Sequence, residues 1–245
     1  MTPLAAAAVA LLVWAVGLIR PVRARALLYS LPVPMSLVLV GGRVHVDGTQ
    51  VIGVLLLVAF FAVTALLHLR LGWPVLLADV TAAAGYVAVA WALPAPLPLV
   101  PCVIIVVGLW LAGLLVPWPS PATPAAPRPS RPRAALKLAA VCATTFAVAG
   151  LAGLLAGLVV TFPFSGVLVA VEVRRDLAAF TRHFARTAIA LVAFVCGFAA
   201  GQDHGVGAGL ALGWLAYGGC AVVLHRSRDR MSPAHPSLAA GLHQR

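Results

Sequence analysis

From Leu138 to Val171 the chain runs for 34 residues without one charged side chain. As a single α-helix this stretch would reach about 51 Å at 1.5 Å per residue, against a bilayer hydrocarbon core of about 30 Å. It has to double back. Gly150, Gly153 and Gly157 mark the place, because glycine tolerates the backbone angles of a tight reversal. With 62% hydrophobic and 9% charged residues in 245, and a mean hydropathy of +1.05, the remaining apolar runs also exceed what a water-soluble fold can hide. The composition is that of an all-α integral membrane protein.

Nine spans can be drawn: Pro3–Ile19, Ala26–Gly42, Gln50–Leu67, Trp73–Ala92, Leu97–Val116, Ala135–Ala152, Leu154–Val171, Phe184–Gly201 and Gly205–Leu224. Of the 17 basic residues, sixteen then fall on one side: Arg20, Arg23, Arg25, Arg70, Arg128, Arg131, Arg133, Lys137, Arg174, Arg175, Arg182, Arg186, Arg226, Arg228, Arg230 and Arg245. Arg43 alone faces the other way. A seven-span alternative, without Ala26–Gly42 and with the long apolar run fused, divides them twelve to five. Because cytoplasmic loops collect Lys and Arg, the nine-span tally predicts an outside amino terminus and a cytoplasmic carboxyl terminus. Met1–Ile19 lacks a preceding basic region and its positive charges follow it, which predicts a retained first span.

The net charge of +11 has the same explanation, since the arginines lie in short loops without interleaved aromatics. It predicts contact with anionic inner-leaflet lipids and no nucleic-acid partner. The 16 Arg to one Lys and the abundant Ala suggest a bacterium of high genomic GC content, hence the bacterial inner membrane. Trp14, Trp91, Trp110 and Trp118 fall near span ends and read as headgroup anchors. Between spans seven and eight, Leu177, Phe180 and Phe184 recur at helical spacing. They predict either a short amphipathic helix on the inner leaflet or an ordinary basic loop.

Residues 117–134, with seven prolines from Pro117 to Pro132, form an extended cytoplasmic linker dividing two similar parts. A shift of 131 places aligns Pro32 with Pro163, Arg43 with Arg174, Tyr86 with Tyr217 and Leu93 with Leu224, with 11 identities in 62. Order carries the repeat more than identity: a proline-bearing span, a polar break, two further spans. The expected organisation is a four-span repeat in 1–96, a connecting span in 97–116, the linker, a second repeat in 135–225 and a basic tail in 226–245. An odd number of spans before the second repeat sets it upside down, as in many secondary transporters, whose substrates bind near the midplane at broken helices.

The candidate substrate-binding residues follow from that architecture. Pro32, Pro34 and Pro163 interrupt helices and release carbonyls, while Ser36, Thr161 and Ser165 add hydroxyls at the same depth. Asp79 lies within a span, where an acid needs a partner or a task such as carrying a proton. The alternative for Asp79 is a snorkelling pair with Arg70. Tyr86 and Tyr217 align across the repeat, and each suits either a central cavity or a helix-to-helix hydrogen bond.

Cys102, Cys142, Cys196 and Cys220 sit in apolar runs without CxxC spacing and read as packing residues. His68 and His204 fall at opposite faces and cannot share a metal. No cofactor is expected. The chain has no HExxH, no GxSxG and no phosphate-cradling glycine loop, so no enzyme activity is expected.

The segment Gly157–Glu172 (GLVVTFPFSGVLVAVE), after a glycine hairpin and before a basic loop and two spans, resembles the GlpM-like small four-span bacterial membrane proteins. The resemblance covers Ala135 to Leu224. It implies that a four-span half is a unit, two of which are joined here by span five, and it transfers no binding residue. The expectation is a small transporter or permease-like protein. The alternative is a non-transporting subunit or homo-oligomer that presents small residues such as Gly205, Gly207, Gly209 and Gly213 to a membrane partner.

Overall fold

The computed structural model describes residues 31–42, 44–94, 96–115, 160–163, 166–174 and 176–231. Among them there is no strand. The helices are α1 (Val33–Gly42), α2 (Gly48–Leu69), α3 (Val75–Ala92), α4 (Leu99–Leu115), α5 (Gly166–Glu172), α6 (Leu177–Gly201) and α7 (Val206–Met231), with a 3-10 turn at Gln202–His204. Four stretches are long and apolar enough to cross a membrane: Gly48–Leu69, Val75–Ala92, Leu177–His204 and Val206–Arg226. Helix α4, with 17 residues, is slightly short of that length, and α1 has only 10. Nine spans are thus not reached. The expected spans Pro3–Ile19 and Ala135–Ala152, with the Pro117–Arg133 linker, lie outside the described residues.

Helix α2 starts on a capping box. The Thr49 amide donates to Asp47 Oδ1 at 2.6 Å, and the Asp47 amide donates to Gln50 Oε1 at 2.7 Å, satisfying amides that have no partner within the helix. The Gly48 amide donates to Leu97 O at 2.9 Å, which ties this start to the α3–α4 loop. A Cβ on Gly48 would lie 2.5 Å from Pro98 O, so only glycine permits the approach. The 22 residues of α2 give about 33 Å, one bilayer core. At the other end Gly72, at φ +71°, turns the chain into α3.

Helices α6 and α7 form a second hairpin, turned at Gly205 with φ +105°. Their seam is built from glycine on both sides. Gly197 and Gly201 face Leu212 and Ala208, whereas Gly209 and Gly213 lie against the Phe198 and Phe194 rings. Small residues four apart let two backbones close to contact distance, which in lipid is the main source of helix association. The glycines expected to await a partner are therefore turned inward at 209 and 213.

Two junctions set the directions. Gln202, at the α6–α7 tip, accepts from the Val46 amide at 2.8 Å and donates to Val46 O at 2.9 Å. That tip, the strap before α2 and the α3–α4 loop consequently share one face. The α2–α3 turn and the residues before α6 share the other. No described residue of the first face (44–48, 93–98, 201–206) is Lys or Arg, and Asp47 and Asp203 lie there. Arg70 and Arg174 lie at the second, with Arg182 and Arg186 in the opening turns of α6.

Between the hairpins the core is aromatic. Phe61 of α2 meets Phe60, Phe180 and Phe184 edge to face at centroid distances of 5.1, 5.1 and 4.9 Å. Leu177, Phe180 and Phe184 are fully buried here, which corrects both expectations for that stretch. It is neither a leaflet helix nor a loop. The start of α6 runs seven residues ahead of the expected Phe184, and its apolar stripe packs on α2 instead of on lipid.

Shifted by 131 residues, Val75, which opens α3, falls on Val206, which opens α7.

Candidate functional site

Pro32 immediately precedes α1. Its carbonyl accepts both the Ser36 amide and the Ser36 hydroxyl, each at 2.8 Å. Pro34 sits in the first turn, where a helix amide lacks an internal partner in any case. The carbonyls that Pro32 and Pro34 would release lie one turn earlier, at 28 and 30, outside the described residues. Ser36 is committed, since its Oγ also accepts from Trp214 Nε1 at 3.1 Å and so joins α1 to α7.

Val160 lies in a 3-10 turn and Thr161 to Pro163 are non-helical, ahead of α5, which begins only at Gly166. The Gly166 amide donates to Pro163 O at 2.9 Å. Gly166 is pressed against Phe60 and Pro163; a Cβ would come within 2.9 Å of both. Ser165 lies outside the described residues.

These two proline-bearing segments meet. A cavity of about 40 Å³ is lined by Leu31, Pro34 and Met35 from the first and by Thr161, Phe162 and Pro163 from the second, with Leu57 and Leu191 also on its wall. Tyr86 reaches the same segment from α3. Its hydroxyl shares a buried 2.9 Å hydrogen bond with Thr161 Oγ1, and its ring meets the Phe162 edge at 5.2 Å. Tyr217 instead packs its ring on Trp214 at 5.8 Å. Neither tyrosine lines the cavity; Tyr86 makes the hydrogen bond to a neighbouring segment, while the Tyr217–Trp214 contact lies within α7.

Asp79 is the outlier. Helix α3 turns Ala78, Asp79, Ala82, Tyr86 and Ala90 inward as one stripe at helical spacing. Asp79 is 0% exposed, and neither carboxyl oxygen has a hydrogen-bond partner. Burying such a group without a donor or cation costs more than burying an apolar side chain of equal size. No ion pair with Arg70 relieves it. Tyr86 stands two turns further on, about 10.5 Å along the axis.

The residues missed from sequence are polar ones that act across long separations. Gln202 holds Val46 over 156 residues, and Trp110 Nε1 donates to Ala185 O at 3.0 Å over 75. Trp110 therefore links α4 to α6. Among the described residues no group of three His, Cys, Asp or Glu is placed to hold a metal ion. His68, whose Nδ1 lies 2.8 Å from Trp73 O, and His204 sit at opposite faces. Cys102, Cys196 and Cys220 are free thiols, while Cys142 falls outside the described residues. No family profile, curated protein sequence or solved structure matches the chain.

Proposed function

We propose that the chain is a small transporter of the bacterial inner membrane, built from two inverted sets of helices that rock about the cavity between Pro34 and Pro163. The meeting of those two segments carries the reading. They are far apart in sequence, hold corresponding places when the sequence is shifted by 131, and line one cavity. That is where alternating access in inverted-repeat carriers locates its site. Asp79 is the coupling group, taking and releasing a proton as the buried stripe of α3 is alternately hydrated. A nine-span topology with a cytoplasmic carboxyl terminus, and a pair of GlpM-like four-span units, are part of the same proposal. The charge distribution between the two faces supports the orientation. A scaffolding role has less support, because Gly209 and Gly213 are already used within the chain.

The test uses Thr161→Cys in a chain whose native cysteines are replaced by alanine, reconstituted in liposomes. A membrane-impermeant maleimide should label position 161 from both faces, at rates that change in opposite directions when a transported solute is added. A residue reachable from neither face marks a closed interior and rejects transport. In the same liposomes, loaded with a pH-sensitive dye, Asp79→Asn should abolish solute-driven proton movement. Unchanged proton movement removes Asp79 from coupling.

A further inference from the structure

A second recess, of about 120 Å³, opens between α2, α4 and α6. Its wall is apolar along most of its length, with Val54 and Val58 from α2, Val106 and Leu109 from α4, and Ile189 and Val192 from α6. Arg182 and Arg186 close one end. None of the lining residues is acidic. The arginines are one helical turn apart, so both side chains leave the same face of α6.

Depth identifies the setting. From Arg186 the helix continues through fifteen uncharged residues to Gly201, about 22 Å of apolar rise. The two guanidinium groups thus lie where hydrocarbon gives way to headgroups, within reach of long stems that extend toward the polar layer. The wall runs from them toward the midplane. Trp110 forms the part beside the arginines and is fixed by its bond to Ala185 O. Gly113 completes that end, and a Cβ there would meet nothing within 4 Å.

We infer that this recess seats one anionic phospholipid, with an acyl chain along the apolar wall and the phosphate against Arg182 and Arg186. Charge and shape select this occupant together. A water-soluble phosphate leaves the wall empty, and a zwitterionic lipid brings no net charge to two guanidiniums whose geometry suits a phosphate. The site lies apart from the Pro34–Pro163 cavity and does not depend on the transport reading.

The test is native mass spectrometry of the purified full-length chain with phosphatidylglycerol, phosphatidylcholine of identical acyl chains, or oleate. Phosphatidylglycerol should be retained about thirtyfold better than phosphatidylcholine, the ratio expected from two arginines beside an anionic headgroup. Arg182→Gln with Arg186→Gln should bring that ratio close to one. Gly113→Phe should weaken retention of phosphatidylglycerol without touching the charges, and it covers the case in which the double variant fails to fold. Equal retention of the two phospholipids, preferential retention of oleate, or a Gly113→Phe variant that still holds phosphatidylglycerol overturns the inference.

Discussion

At the scale of single residues, two buried polar groups on α3 have opposite fates. Tyr86 has its partner: Tyr86→Phe removes the hydrogen bond to Thr161 and keeps the ring against Phe162. Its stability should fall by about 1 kcal/mol, read as a lower thermal midpoint in detergent. Asp79 has none, so Asp79→Leu should raise the midpoint by about 1 to 3 kcal/mol of stability while eliminating proton coupling. A lower midpoint in Asp79→Leu would show that the carboxyl supports the fold. Both residues are visible in the sequence as polar groups within apolar runs. Their environments are not, because Thr161 lies 75 residues from Tyr86 and periodicity carries no information about which helix faces which.

At the scale of elements, the glycine seam of the α6–α7 hairpin gives an internally controlled prediction. Gly197→Leu puts a side chain where a Cβ alone would lie 2.6 Å from Leu212 O, and should cost at least about 3 kcal/mol because the backbone has to part. Gly218→Leu, on α7 with nothing within 4 Å, should leave the thermal midpoint nearly unchanged. Equal effects at the two positions would refute the packing assigned to the seam. Gln202→Ala removes both bonds to Val46 and should raise hydrogen exchange at the Val46 amide, whereas exchange within α2 stays low. The ends of α2, α3 and α4 were legible to within two residues, since apolar runs there stop at Asp47, Arg70, Pro74 and the prolines around Leu97. The start of α6 was hidden. Arg182, His183 and Arg186 give its first turns a polar face that reads as surface, although Leu177, Phe180 and Phe184 bury the opposite one.

For the whole molecule, the two faces defined by the Gly48–Leu97 and Gln202–Val46 bonds predict a labelling pattern. Single cysteines in 93–98 and 202–205 should react with an impermeant reagent from one side of the membrane, and cysteines in 70–74 and at Arg174 from the other. The proposed orientation puts the arginine-bearing face in the cytoplasm; reactivity of both groups from a single side overturns the arrangement. That the chain carries helices apolar enough to cross a membrane was legible in its composition. The contact between the hairpins was not, because it depends on ring edges and on one glutamine. Those two fastenings differ in kind. Main-chain bonds made by Gln202 at a wet end exchange for water at small net cost, whereas the Phe61, Phe180 and Phe184 rings have no comparable substitute. Under load the molecule behaves as a clothes-peg: its jaws are the Gln202 end, its spring is the phenylalanine cluster, and separation begins at the jaws.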